Sequence, residues 1–272
     1  MLIVALVFLL STLATVAHAQ ETIPPGASAA ESPWDDPEPG ATLAEEPGGH
    51  GRFQLRRENV ERGTSEETTR TYVRSDNFLW GGMLSLQVAF PDAKTDFAGD
   101  PFDPRLGDSK VRFRGAPFSR GRFDLSYFVE ATFPTADPAE LGTGKYQLSL
   151  GATGSTAIAA PAALRASHEL RLTSQLQQIN SVAGDPQRAD INYTKLDLSL
   201  RDTWKRGWVK IACNMRADWE QNGKTGAVGE LEYGRRVDRD WSVWIVGGGL
   251  LWGEGVKGTY GSKIMLGLDR WF

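Results

Sequence analysis

From Phe78 to the end of the chain, apolar and polar residues alternate in short runs. The stretch Trp208 to Trp219 shows the pattern well. Val209, Ile211, Cys213, Met215, Ala217 and Trp219 fall on one phase, and Lys210, Asn214, Arg216 and Asp218 on the other. Successive side chains of a strand point to opposite faces, so this run predicts a strand with one apolar and one charged face. Arg122 to Phe133 repeats it, setting Phe123, Leu125, Tyr127, Val129, Ala131 and Phe133 against Arg122, Asp124, Ser126, Glu130 and Thr132. The same reading predicts strands over 78–90, 109–116, 145–160, 164–178, 192–204, 227–236, 241–252 and 262–272. That gives about ten strands, each long enough to cross a bilayer at a tilt. Gly151 and Gly154 are expected to bend their strand at bulges, and Gly247 to Gly249 to admit a bulky neighbour or a plug.

Apolar faces of this kind have two outlets. A soluble sandwich buries them between two sheets, whereas a membrane barrel turns them to lipid and keeps its charges inside. The connections favour the barrel. They alternate between long (91–108, 134–144, 178–189) and tight (117–121, 161–163, 205–206), as in outer-membrane barrels with long outer loops and short periplasmic turns. Trp80, Phe90, Phe133, Trp204, Trp208, Trp219, Trp241 and Trp252 lie near predicted strand ends and suit two interfacial girdles. The expected fold is therefore all-β, a transmembrane antiparallel β-barrel of about ten strands.

The first quarter of the chain reads differently. Leu2 to Val16 is almost wholly apolar, and Ala17-His18-Ala19 before Gln20 has the small-x-small form of a cleavage site, so residues 1–19 read as a cleaved export signal. Residues 20–76 are expected to be a disordered or loosely ordered periplasmic segment: Pro, Gly and acids dominate to about Gly51, and Arg52 to Arg74 is heavily charged. If Arg52 to Arg74 contributes a hairpin, the barrel has twelve strands; otherwise residues 77–272 form it alone. A single cysteine, Cys213, supplies no internal disulfide framework. The net charge of -4 gives no support for nucleic-acid binding.

The ending Leu266-Gly-Leu-Asp-Arg-Trp-Phe272 resembles the C-terminal signal read by the bacterial barrel-insertion machinery, with Leu268, Trp271 and Phe272 carrying the likeness. Three further stretches, Leu106-Gly-Asp-Ser-Lys-Val-Arg-Phe113, Phe133-Pro-Thr-Ala-Asp137 and Leu141-Gly-Thr-Gly-Lys-Tyr-Gln147, resemble the MetA-pathway phenol-degradation family of outer-membrane proteins in order and spacing. One departure is Pro-Thr-Ala where the family usually has Pro-Thr-Gly. The resemblance spans about Phe78 to Phe272. It implies a Gram-negative outer-membrane barrel, in contact with outer-membrane lipid, that moves small hydrophobic or aromatic solutes.

The candidate functional residues are the charges on the inward phase. They are Lys110, Arg112, Arg114, Arg122, Arg165, Arg171, Lys195, Arg201, Lys210 and Arg216, interleaved with Asp124, Glu130, Glu169, Asp197, Asp218, Glu230 and Glu232. Rings of one sign would make a selective pore, whereas mixed signs also pack as salt-bridge networks in a narrow barrel. The expected function is a passive outer-membrane channel for small solutes. The alternative is a non-conducting barrel that binds a partner or anchors the envelope. Serine–histidine catalysis is disfavoured, because His168 falls on the lipid-facing phase while Ser167 points the other way, and His50 lies in the tail. The acidic loop with Asp92, Asp96, Asp100, Asp103 and Asp108 has oxygen ligands but no EF-hand spacing. Gly142-Thr-Gly-Lys145 lacks the first glycine of a phosphate loop and precedes a strand. No cofactor or metal is expected.

Overall fold

The computed structural model describes residues 51–61, 67–79, 81–92, 104–159 and 168–272. In the described residues the period-two pattern becomes one antiparallel sheet of thirteen strands. They are β1 (Gly51–Val60), β2 (Thr68–Leu79), β3 (Gly82–Pro91), β4 (Ser109–Arg114), β5 (Phe118–Arg120), β6 (Phe123–Phe133), β7 (Lys145–Ile158), β8 (His168–Gly184), β9 (Asn192–Trp204), β10 (Gly207–Asp218), β11 (Lys224–Arg236), β12 (Trp241–Trp252) and β13 (Ser262–Trp271). Each pairs with its neighbour in sequence, except that β4 and β5 both pair with β6, and β1 pairs with β13 from Arg52↔Trp271 to Val60↔Lys263, which closes the ring.

β4 and β5 are two segments of one strand, because both pair with β6. Gly115 still donates to the Tyr127 carbonyl, and the ladder then breaks at Ala116-Pro117, where proline has no N–H to give. Twelve strands therefore go round the barrel. This corrects the count of about ten in favour of the twelve-strand alternative, and it moves the start of the barrel from 77 to Gly51. The segment expected to be loosely ordered supplies β1 and β2 instead, in register from Gly51↔Asn77 to Val60↔Thr68. The run 78–90 is accordingly not one strand but the end of β2, a turn and β3, with Phe78 opposite Met83.

The burial pattern inverts that of a water-soluble protein. Leu231 is 57% exposed and Ile211 52%, with Leu150, Leu176, Ile264 and Leu266 also exposed, whereas Lys195 is 1% exposed and Arg112 6%. An outward apolar belt around a polar interior is the arrangement for lipid outside and hydrogen-bonded polar groups within. The described residues contain no second sheet to cover the belt.

Loop lengths sort by rim except at one place. The junctions β2–β3, β9–β10 and β11–β12, on the rim that carries both barrel ends, are separated by short stretches of sequence, whereas β1–β2, β3–β4, β6–β7 and β12–β13, on the other rim, are separated by longer ones. The exception lies around β8: the expected tight 161–163 falls outside the described residues, with β7 ending at Ile158 and β8 starting at His168, and 185–191 replaces the longer 178–189. The cause is that Ile179 to Gly184 stay laddered to β7, and Ile179 packs with Ile191 and Tyr193. The register shift in that pair lies at Tyr146/Gln147 rather than at Gly151 or Gly154.

Candidate functional site

The interior is built by the inward phase of every strand. Of the residues singled out from sequence, Lys110, Arg112, Arg114, Glu130, Lys195, Asp197, Lys210, Arg216, Asp218, Glu230 and Glu232 are buried inside the barrel. Asp124, Glu169, Arg171 and Arg201 are half-buried. Arg122 is a correction: it occupies the turn between β5 and β6 and is exposed, because the strand begins one residue later at Phe123. Arg165 lies outside the described residues, as do Trp80 and Asp96, Asp100 and Asp103.

β1 and β2 add functional candidates absent from that set: Arg52, Arg56, Glu58, Arg70, Arg74 and Asp76, all buried. A signal for them exists in the charges at 52, 56 and 58 and at 70, 74 and 76, which keep one phase. With β4 they form one arc. Arg52 Nε donates to Asp76 at 2.8 Å, and Arg74 Nε reaches the other carboxylate oxygen at 2.7 Å. Arg112 Nε donates to Glu130 at 2.7 Å, with Lys110 on the same carboxylate at 3.3 Å. Guanidiniums lie over aromatic faces: Arg56 is 4.4 Å from the Tyr72 ring centroid and Arg112 4.5 Å from that of Phe128. The Tyr72 hydroxyl donates to Glu58 at 2.5 Å. A cavity of about 20 Å³ opens here, lined by Arg56, Arg74, Ser85, Gln87, Lys110, Arg112 and Glu130. That is room for about one water-sized group.

The arc from β10 to β13 is paired more tightly and carries the bulky apolar groups. Glu232 takes both Lys210 and the Trp208 indole N–H, and Glu230 takes Lys263 and the Tyr260 hydroxyl. Trp208, Trp244, Val246 and Met265 cluster inside. Trp208 was expected in an interfacial girdle; it points into the barrel instead, because only that phase places its indole beside Glu232 and against Gly234. The connection 253–261 folds inward, burying Val256 and Tyr260, and Arg216 donates to the Lys257 carbonyl at 3.3 Å. Burial lowers the Lys257 amine to about 8.

The three motif stretches meet in space. Asp108 accepts from the backbone N–H and hydroxyl of Thr143, both at 2.8 Å, and Asp137 N–H donates to the Leu106 carbonyl at 2.9 Å. Asp108 thus ties the residues leading into β4 to 134–144, and Asp92 pairs with Arg57 at 2.6 Å. His168 Nδ1 lies 3.0 Å from Asp202, with its ring against Trp204. At the end of the chain, Gly51 and Phe272 exchange backbone hydrogen bonds, Arg52 lies 5.1 Å from the Trp271 ring, and Leu268 pairs with Leu55.

No protein-family model matches the chain, and no curated protein matches it. Its fold is similar to solved outer-membrane proteins. An outer membrane channel from Pseudomonas putida F1 is 12% identical with a TM-score of 0.62, over 87% of this chain and 100% of that one. The NanC porin is 9% identical with a TM-score of 0.54, over 82% of this chain and 100% of that one. The KdgM porin is 9% identical with a TM-score of 0.50, over 81% of this chain and 99% of that one. At such identities the likeness shows the fold, a closed outer-membrane-type β-barrel.

Proposed function

We propose that the chain is an outer-membrane channel for small solutes and that its lumen favours anions. The observation that carries this reading is the charge of the arc β1–β6. Arg52, Arg56, Arg70, Arg74, Lys110, Arg112 and Arg114 are buried there against Glu58, Asp76, Asp108 and Glu130, so buried cations exceed buried carboxylates by three. Even with every acid paired, the wall keeps a positive field in a low-dielectric enclosure, which raises the local concentration of anions. Zero-current potentials of the purified, folded barrel in planar bilayers under a potassium chloride gradient test it. The expected sign is that of chloride preference; a cation-preferring or silent barrel defeats the reading.

The resemblance to the MetA-pathway phenol-degradation family supports a channel for aromatic compounds. Its three motif stretches meet as a clasp around Asp108, and of the three only the first reaches the cavity, through Lys110 and Arg112. A solute that is hydrophobic throughout suits the arc β1–β6 poorly, since it would strip the water from buried cations without replacing it. A second reading, a non-conducting barrel with a structural or partner-binding role, is favoured by the inward fold of 253–261 and by the pairing inside β10–β13. The same bilayer measurement separates the two. Delivery to the outer membrane would use the cleaved signal at 1–19, and insertion would use Leu268, Trp271 and Phe272. Enzymatic activity is not part of the proposal.

A further inference from the structure

Within the positive arc, one point differs from the rest. The cavity between β1, β2, β3, β4 and β6 brings Arg56, Arg74, Lys110 and Arg112 round a space that holds a single carboxylate, Glu130. The neutral member Gln87 is more than nine-tenths buried. Its Oε1 accepts from Arg56 Nη2 at 3.3 Å, while its Nε2 has no hydrogen-bond partner among the described residues. A buried amide donor without a partner costs free energy unless something accepts from it. The Arg56 and Arg112 guanidiniums cannot swing freely to fill the space, being stacked over Tyr72 and Phe128. Ser85, which accepts from Arg74 Nη2 at 3.1 Å, adds a hydroxyl to the lining.

We propose that this cavity is a binding site for one small oxyanion, a carboxylate or phosphate group, seated among Arg56, Arg74, Lys110 and Arg112 with Gln87 Nε2 as a further donor. Fixed guanidiniums and a neutral N–H are the donor set that recognises such oxygens, and Arg suits their planar, bidentate geometry better than Lys. The volume takes one oxygen of the anion, and the rest of the headgroup extends from the cavity mouth. On this account a permeating anion pauses here by its charged end while the remainder stays in the open lumen. The site rests on the reading of the interior as a lumen but is read out without conduction.

The test is calorimetric titration of the full-length folded barrel in detergent with sodium phosphate and, separately, sodium acetate, at constant ionic strength. Saturable binding of either supports the site, and which of the two binds names the headgroup. R112Q is expected to weaken binding about tenfold or more, as for loss of one charge-assisted contact. R112Q also leaves Glu130 with fewer partners and could fail to fold, so Q87L serves as the second variant, with a loss of several-fold. Q177L is the control: Gln177 is buried elsewhere in the barrel on β8, and its change should leave the affinity unaltered. Absence of saturable heat with both salts overturns the site, as does binding that R112Q and Q87L retain in full. An adventitious surface interaction would also show as binding that Q177L and Q87L share equally, and that too overturns it. A barrel that conducts with chloride preference yet gives no heat would lose the site and keep the channel. One that binds but never conducts would do the reverse.

Discussion

The interior contains a recurring residue pair, an aromatic ring facing a glycine on the next strand. Trp208 opposes Gly234, Trp244 opposes Gly267 and Phe128 opposes Gly151. A Cβ at Gly234 or Gly267 would lie 2.1 Å from indole carbon, and at Gly151 2.3 Å from the phenyl ring. These glycines are therefore required by the rings and not by backbone conformation, and the rings in turn cover backbone that glycine leaves bare. Gly234→Ala should cost about 1–3 kcal/mol by forcing the indole aside. Gly247→Ala, with open space around its Cβ, should stay within about 0.5 kcal/mol. Urea-unfolding midpoints of the vesicle-folded barrel measure both, and Trp208→Ala should make the Gly234 change nearly harmless, since the two act through one contact. The alternation sets Trp208 on the inward phase of Lys210 and Arg216, but its place at a strand end also suits a girdle, and the two signals conflict. The pairing partner that decides it lies 26 positions away along the chain.

At the scale of elements, the strands with apolar outward faces were legible and β1 and β2 were not. On β6 the outward phase is Phe123, Leu125, Tyr127, Val129, Ala131 and Phe133, but on β2 it is Thr69, Thr71, Val73, Ser75, Asn77 and Leu79. With polar residues on both phases the apolar alternation vanishes, and β1 loses it again at Arg57 and Asn59, whose side chains bond Thr71, Asp92, Glu67 and Thr69. These strands are held by ladder closure to β13 and β3, and their own pattern shows only as charges that keep one phase. The β12–β13 connection was legible as a loop, but its inward fold was not. Its lysine makes that fold testable. Lys257, lowered by burial to about 8 from 10.5, holds fewer protons folded than unfolded between those two values, so its contribution to stability rises with pH across that window. Lys257→Met removes the cost of the buried charge. The variant should be more stable than the parent at pH 7, with the gap closing by pH 10, as read from urea midpoints across the range. A gap independent of pH would mean that the charge has no part in it.

For the whole molecule, the sequence pattern left one choice between two surroundings for the same apolar faces, and closure of the sheet decides it. Ile211 and Leu231 are direct cross-strand partners, both about half exposed, midway along β10 and β11. Val243 points outward near the short-turn rim, two residues into β12. In a bilayer these positions differ: an arginine at mid-height must be carried into hydrocarbon, while one at the rim reaches headgroups and water. Leu231→Arg should therefore cost about 2–4 kcal/mol and Val243→Arg about 0–1 kcal/mol. In water neither outward position would resist a charge, since an exposed surface substitution usually stays within about 0.5 kcal/mol. Folding both variants into lipid vesicles and comparing their urea midpoints with the parent measures the gradient. A Leu231→Arg barrel as stable as the Val243→Arg barrel would mean that no hydrocarbon faces the middle of these strands, and the belt would need another explanation than lipid. A steep gradient would fix the height of the membrane against the strands, with the inward-folded 253–261 connection on one side of it and the turns 205–206 and 237–240 on the other.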